Sequence, residues 1–526
     1  MKRRDFLKKS GLGLASIPFL SIATANSLFA SDTFSNYKAI VIVQLGGGND
    51  AFNTFVPTKP TQHSDYKDKR KRIAIENIDL LDDATYEKDA NGYYAPSSKS
   101  HNPYRATAPA NPSETDPNDN LEASYRKGVY KVPNSSLGIN AMMPEIAALY
   151  EKGLLSIVSN VGPLVEPTTK TTVANGTANL PLFLFAHDHQ KRALDTAKAD
   201  EKISNGWLGR VADSWSPVNG AVGLNISFSG MNTMMVGKNT APTILGNSPS
   251  YYKDNNARDT TILHVIEKFS NLESNNIFTS LYNRMNKDAK AFSDTFQSAW
   301  NDVPDFSTFS AKNSYGESLF SIPNTHDIGL EEIHTLNNNI FKDLETTAKM
   351  IKIGNNTFGF KRQVFYVSIG GFDFHSGQPA DHTQRLRSIS LAISDFYKAI
   401  EEMGLNENVV LATTSSFGRT LLSNGDGTDH GWGGHSMILS GSSSFNGGQE
   451  LGDEITDYKL TSDSFYPQRK NKGRLIPTTS VEQMFAPVLD WFGVDESTMA
   501  NAFPNLVNFR TERGEYKSAF LRNVFS

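Results

Sequence analysis

Four short apolar runs, rich in β-branched residues, each meet glycines together with acids or histidines, and this pattern constrains the fold of the chain most. Ala39–Leu45 runs into Gly46-Gly-Gly-Asn-Asp50. Gln363–Ile369 runs into Gly370-Gly-Phe-Asp373-Phe-His375. Val409–Thr413 runs into Ser415-Ser416-Phe-Gly-Arg419-Thr, then Gly427-Thr-Asp429-His430-Gly-Trp-Gly-Gly-His435, and Met437–Leu439 follows at once. Runs of this length and composition read as buried strands. Open α/β sheets bind ligands outside the carboxyl ends of their strands. Acids and histidines far apart in the chain are therefore expected to converge there and surround a metal.

The near balance of charge, −5 over 526 residues, gives no reason to expect a nucleic-acid partner or a basic membrane patch. The chain has no cysteine, which excludes thiolate chemistry and iron–sulfur ligation and leaves histidine and carboxylate as metal ligands. Lys2-Arg3-Arg4-Asp5-Phe6-Leu7-Lys8-Lys9 leads into an apolar stretch from Gly11 to about Ala25, with small residues at Ala23-Thr24-Ala25 and Ala30. The stretch is shorter than the roughly 20 residues that span a bilayer. It reads as a signal peptide over residues 1–30, of the twin-arginine type, with an ordinary Sec signal or a retained N-terminal anchor as the alternatives, and implies a periplasmic or secreted protein. No later segment reads as a membrane span.

The rest, residues 36–526, reads as one domain. Met143–Lys152 is expected to be a helix and Leu154–Val161 a further strand. Trp207 onward, Phe341–Ile353 and Asp381–Met403 are also expected to be helical; in the last, Leu386, Ile389, Ile393, Phe396, Ile400 and Met403 recur at helical steps. Thr479-Ser480-Val-Glu482-Gln483 reads as a capped helix start. Residues 58–132 and 239–338 are polar and read as insertions, the second one mostly helical. Strands alternating with helices imply an α/β fold with a mostly parallel sheet.

Gly46–Asp50 fits neither the dinucleotide fingerprint nor a phosphate-binding lysine loop. Asp50 is a candidate metal ligand, or else caps the following helix. Asp373 and His375 can reach one ion if their turn curls, with His382 beside them. Asp429, His430 and His435 offer carboxylate and imidazole in a glycine-rich loop. Of 11 histidines, four fall in these two loops and two more, His187 and His189, lie within three residues of each other, a clustering that scattered core histidines would not produce. Arg419 suits bidentate grip on an oxyanion, or else a salt bridge. There is no Gly-x-Ser-x-Gly elbow. Tyr93-Tyr94 and Tyr251-Tyr252 are candidates for stacking on sugars.

These motifs, with Gly206-Trp207-Leu-Gly-Arg210 and the arginine-rich start, resemble the bacterial exported family called domain of unknown function 1501, from the signal to the Ser480 helix. That family is similar to the alkaline phosphatase and sulfatase superfamily. The resemblance implies an alkaline-phosphatase-like αβα sandwich with one or two divalent ions, zinc or manganese rather than calcium or magnesium. It implies Asp50, Asp429 and His430 around one ion and Asp373, His375 and His435 around another. Arg419, Ser416 and His187 become the catalytic candidates, with Ser415 and Thr420 as further hydroxyls. The reaction implied is hydrolysis of a phosphate or sulfate ester, small or glycan-linked. Ala186 and Ser416 stand where relatives commonly carry Ser and Glu. The competing expectation is therefore an inactive envelope binding or assembly protein that keeps the metal site.

Overall fold

The computed structural model describes residues 34–75, 88–94, 128–245 apart from 217, 220 and 221, residue 268, 296–322 apart from 302 and 304, 336–467 and 472–526. The signal, most of the 58–132 region, most of the 239–338 region and Tyr251-Tyr252 lie outside these residues.

The strands are β1 Lys38–Leu45, β2 Phe55–Pro57, β3 Val129–Tyr130, β4 Leu137–Asn140, β5 Leu155–Gly162, β6 Asn225–Ser227 and β7 Thr243–Ile244. They continue with β8 Arg362–Ile369, β9 Val409–Ser415, β10 Arg419–Ser423, β11 Thr428–His430, β12 Gly434–Ser440, β13 Glu450–Leu451 and β14 Thr479–Ser480. Nine of them form the central sheet, in the order β13-β5-β12-β9-β1-β8-β6-β7, with β14 also on β5. The pairs on either side of β1 are parallel, as are those that β6, β13 and β14 make, whereas β12 is antiparallel to both β9 and β5. The sheet is thus mixed and mostly parallel.

The central strands read as continuous apolar runs because both faces of the sheet are covered. Alternate residues of β1 enter different cores: Ala39, Val41, Val43 and Leu45 pack on one face, Ile40 and Ile42 on the other. The first core takes α1 Pro144–Glu151, α2 Asn338–Asn356 and α3 Gln378–Glu402. The second takes α4 His187–Thr196, α5 Trp207–Ser214, α6 Val481–Phe492 and α7 Glu496–Ala502. Ser480 caps α6 through a capping box with Gln483, as the sequence predicts. Tyr93 and Tyr94 are buried in the first core, so this pair offers no stacking surface.

Register fixes where the loops emerge. Leu45 pairs with both Ile369 and Ser415, so β1, β8 and β9 end on one line. The fourth run differs from the other three: β12 is antiparallel and brings its beginning, not its end, to that edge, where Gly434 pairs with Val161. The short β10–β11 hairpin that links β9 to β12 reverses the chain, so no crossover helix is needed.

Candidate functional site

Gly47 and Gly48 both have positive φ. A Cβ on Gly48 would overlap the edge of the Phe417 ring, and one on Gly47 would meet the Asp373 backbone nitrogen at 2.8 Å. The glycines therefore let the β1 loop pass against the loops that follow β8 and β9. Across the β10–β11 hairpin Arg419 pairs with His430.

These loops bring together Asp373, His375 and His430. His375 Nε2 lies 3.1 Å from His430 Nε2, and Asp373 Oδ1 lies 3.1 Å from His430 Nε2 and 3.2 Å from His375 Nε2. Their side chains are 35%, 49% and 20% exposed in sequence order, so an ion or ester can reach them from solvent. His430 Nδ1 donates to the Phe185 carbonyl at 3.1 Å, which leaves the Nε2 lone pair facing the other two groups. His375 Nδ1 lies 3.7 Å from Asp429 Oδ1. A tetrahedral set with bonds of about 2.0–2.1 Å places ligand atoms about 3.3–3.4 Å apart. The triangle of two imidazole nitrogens and one carboxylate oxygen therefore fits a divalent ion.

Electrostatics keep the acids ionised. Burial would raise Asp373, yet the Arg419 hydrogen bond and charge, with His430 and His375, hold it below the usual carboxylate range. Burial would likewise raise Asp429, and its ion pair with Lys472 brings it below that range. Burial lowers His430, which favours the neutral imidazole that a metal needs.

The other sequence candidates sit elsewhere. Asp50 begins the four-residue helix Ala51–Thr54 without capping it; its carboxylate is buried between Arg70 and Gln378. His435 is buried and its Nδ1 accepts from the Asn160 amide at 3.2 Å. His382 donates to Asn49 Oδ1 at 2.9 Å, and burial pushes both His382 and His435 down to about 4. The structure thus joins three of the six expected ligands, sets Asp429 behind His375, and places Asp50 and His435 apart from them.

Arg419 is fully buried, and its guanidinium is directed at Asp373, Thr428 Oγ1 at 3.0 Å and the carbonyls of Phe374 and Thr428. That use differs from the oxyanion clamp expected of it: Arg419 positions Asp373. Ser416 is buried beside Gln44, at 3.4 Å. Ser415 bonds the Asn49 amide and the Phe417 carbonyl, and Thr420 bonds the Leu422 carbonyl and the Asp429 amide. His187 does stand near the cluster, with its ring centroid 6.1 Å from that of His430 and its Nδ1 3.2 Å from Asp188 Oδ1.

Sequence reading missed Arg70, Gln378, Lys472 and the Phe185 carbonyl. Arg70 lies on a helix within the stretch read as a polar insertion, and a carbonyl contact carries no residue signature. Lys472 lies in the basic stretch Arg469-Lys470-Asn471-Lys472-Gly473-Arg474, where no acid or histidine marks a site.

Residues 37–460 match the family described as protein of unknown function (DUF1501), a stretch that contains the cluster and ends before α6. No curated protein matches the chain. With most of its length covered, the chain belongs to the DUF1501 family.

Proposed function

We propose that this protein is an exported, metal-dependent hydrolase of phosphate or sulfate esters with an alkaline-phosphatase-like fold. The observation that carries the reading is the convergence of His375 Nε2, His430 Nε2 and Asp373 Oδ1 within 3.2 Å at the edge of a mostly parallel sheet. Helices on both faces of that sheet agree with an αβα sandwich. The arginine-rich, then apolar N-terminus motivates twin-arginine export to the periplasm or beyond.

Two imidazoles and one carboxylate suit zinc or manganese better than calcium or magnesium. When bound there, such an ion supplies Lewis-acid polarisation of an ester oxygen and acidifies water. The chain's own residues do the rest. The Phe185 carbonyl orients His430, Asp429 adds negative charge beside His375, and Arg419 holds Asp373 in place. His187, whose ring centroid lies 6.1 Å from that of His430, is the candidate general acid for a departing alkoxide. Lys472 and Arg474 lie along the His430 side and add positive charge for an anionic ester.

A second reading, an inactive envelope binding or assembly protein, draws on Ala186, Ser415, Ser416 and Thr420. Ala186 has no hydroxyl, and the three hydroxyls already bond within the chain. Assay of 4-nitrophenyl phosphate and sulfate with zinc and with manganese separates the two. Turnover that His430→Ala abolishes supports the hydrolase; metal uptake without turnover on either ester favours the binding protein.

A further inference from the structure

Beside the cluster lies a groove of about 610 Å³, a volume typical of ligand sites. Asp188, Lys191, Arg192 and Asp195 of α4 form one wall; Tyr366 and Ser368 of β8, with Ser229 and the Met231–Thr233 turn, form the other. Both walls lead to the cluster. The same helix carries His187 in its first turn, and β8 continues through Ile369 to Asp373.

The lining is hydroxyl-rich and balanced in charge. The α4 wall carries two cations and two carboxylates, and Lys191 pairs with Asp195. That balance gives no selectivity for a free anion, and the shortage of apolar surface suits neither a nucleobase nor a lipid chain. Asp195 is buried beneath this wall, where its ion pair holds Lys191.

We propose that this groove binds the neutral, hydroxyl-rich ring of a sugar whose phosphate or sulfate ester lies at Asp373, His375 and His430. The proposal rests on the hydrolase reading and names its substrate class. Asp188 accepts from ring hydroxyls, while Arg192 and Ser368 donate to ring oxygens. Met231, 63% exposed at the rim, covers an apolar sugar face.

The test is saturation-transfer NMR with glucose, galactose and N-acetylglucosamine, followed by assay of their 6-phosphates and 6-sulfates against the 4-nitrophenyl esters. At least one free hexose is expected to bind. Ser368→Val, which fills the groove with a strand-favouring residue, and Arg192→Ala, at the surface, are each expected to weaken that binding about ten-fold. The ester of the bound hexose is expected to show a lower KM than the 4-nitrophenyl ester. Absence of hexose binding, or binding unchanged in both folded variants, overturns the proposal. Nitrophenyl turnover without hexose binding rejects the groove and leaves the hydrolase reading standing. Groove-dependent hexose binding with no ester turnover upholds the sugar site and rejects hydrolysis.

Discussion

At the scale of the residue, neighbouring charged groups in this protein have distinct tasks. Asp50 and Arg70 form a fully buried pair, with side chains 1% and 0% exposed. Removing one partner leaves an uncompensated buried charge, which costs about 3–5 kcal/mol. Arg70→Ala should therefore lower stability by about that amount in urea unfolding, and Asp50→Asn combined with Arg70→Met should recover most of it. The exposed cluster behaves differently. Its groups have solvent as an alternative partner, so His375→Ala and His430→Ala should leave apo stability within about 1 kcal/mol of the parent while removing metal uptake. Equal destabilisation by both kinds of substitution would show that the cluster is a structural network.

At the scale of the element, the sheet positions the site through register, and glycines let its loops approach. Gly48→Ala meets a positive φ and the Phe417 ring together, and Phe417 packs on His430 with centroids 4.4 Å apart. The substitution should cost about 1–2 kcal/mol or more from the backbone alone and weaken metal uptake by displacing Phe417. Unchanged stability and uptake would show that the loop adapts freely. By contrast, Ser480→Ala should cost only about 1 kcal/mol through the lost cap on α6 and leave metal uptake alone. Much of this architecture was legible in the sequence. Buried strands announce themselves as β-branched runs, and α3 through its helical repeat of Leu386, Ile389, Ile393 and Phe396. The glycines and the Asp373, His375 and His430 loops were legible too. What stayed hidden depends on contacts between distant segments. Nothing in Met437–Leu439 tells that β12 runs antiparallel, and nothing near Asp50 points to Arg70. Nor does anything around Arg419 reveal that its donors face Asp373 and two carbonyls.

At the scale of the whole molecule, buried titratable groups pull stability in opposite directions with pH. His382, pushed down to about 4 by burial, stays neutral when folded. Unfolding lets it take up a proton below its ordinary value near 6.5, so its contribution is full above 6.5 and is lost as pH falls toward 4. Burial pushes Asp395 and Glu482 up to about 7. Their contribution is full below the ordinary carboxylate range and is lost as pH rises to 7. The two slopes oppose each other between pH 4 and 6.5. His382→Asn should therefore make urea midpoints fall with rising pH across that window relative to the parent, and Asp395→Asn should tilt them the other way. Parallel profiles for all three proteins would contradict this balance. The central claim is the metal site, and metal analysis of the purified protein tests it most directly. Zinc, or cobalt as its coloured stand-in, is titrated into metal-free protein and its variants. The account predicts one ion per chain, lost in His375→Ala and His430→Ala and retained in His435→Ala. No uptake, or uptake that survives both cluster substitutions in folded protein, would contradict it.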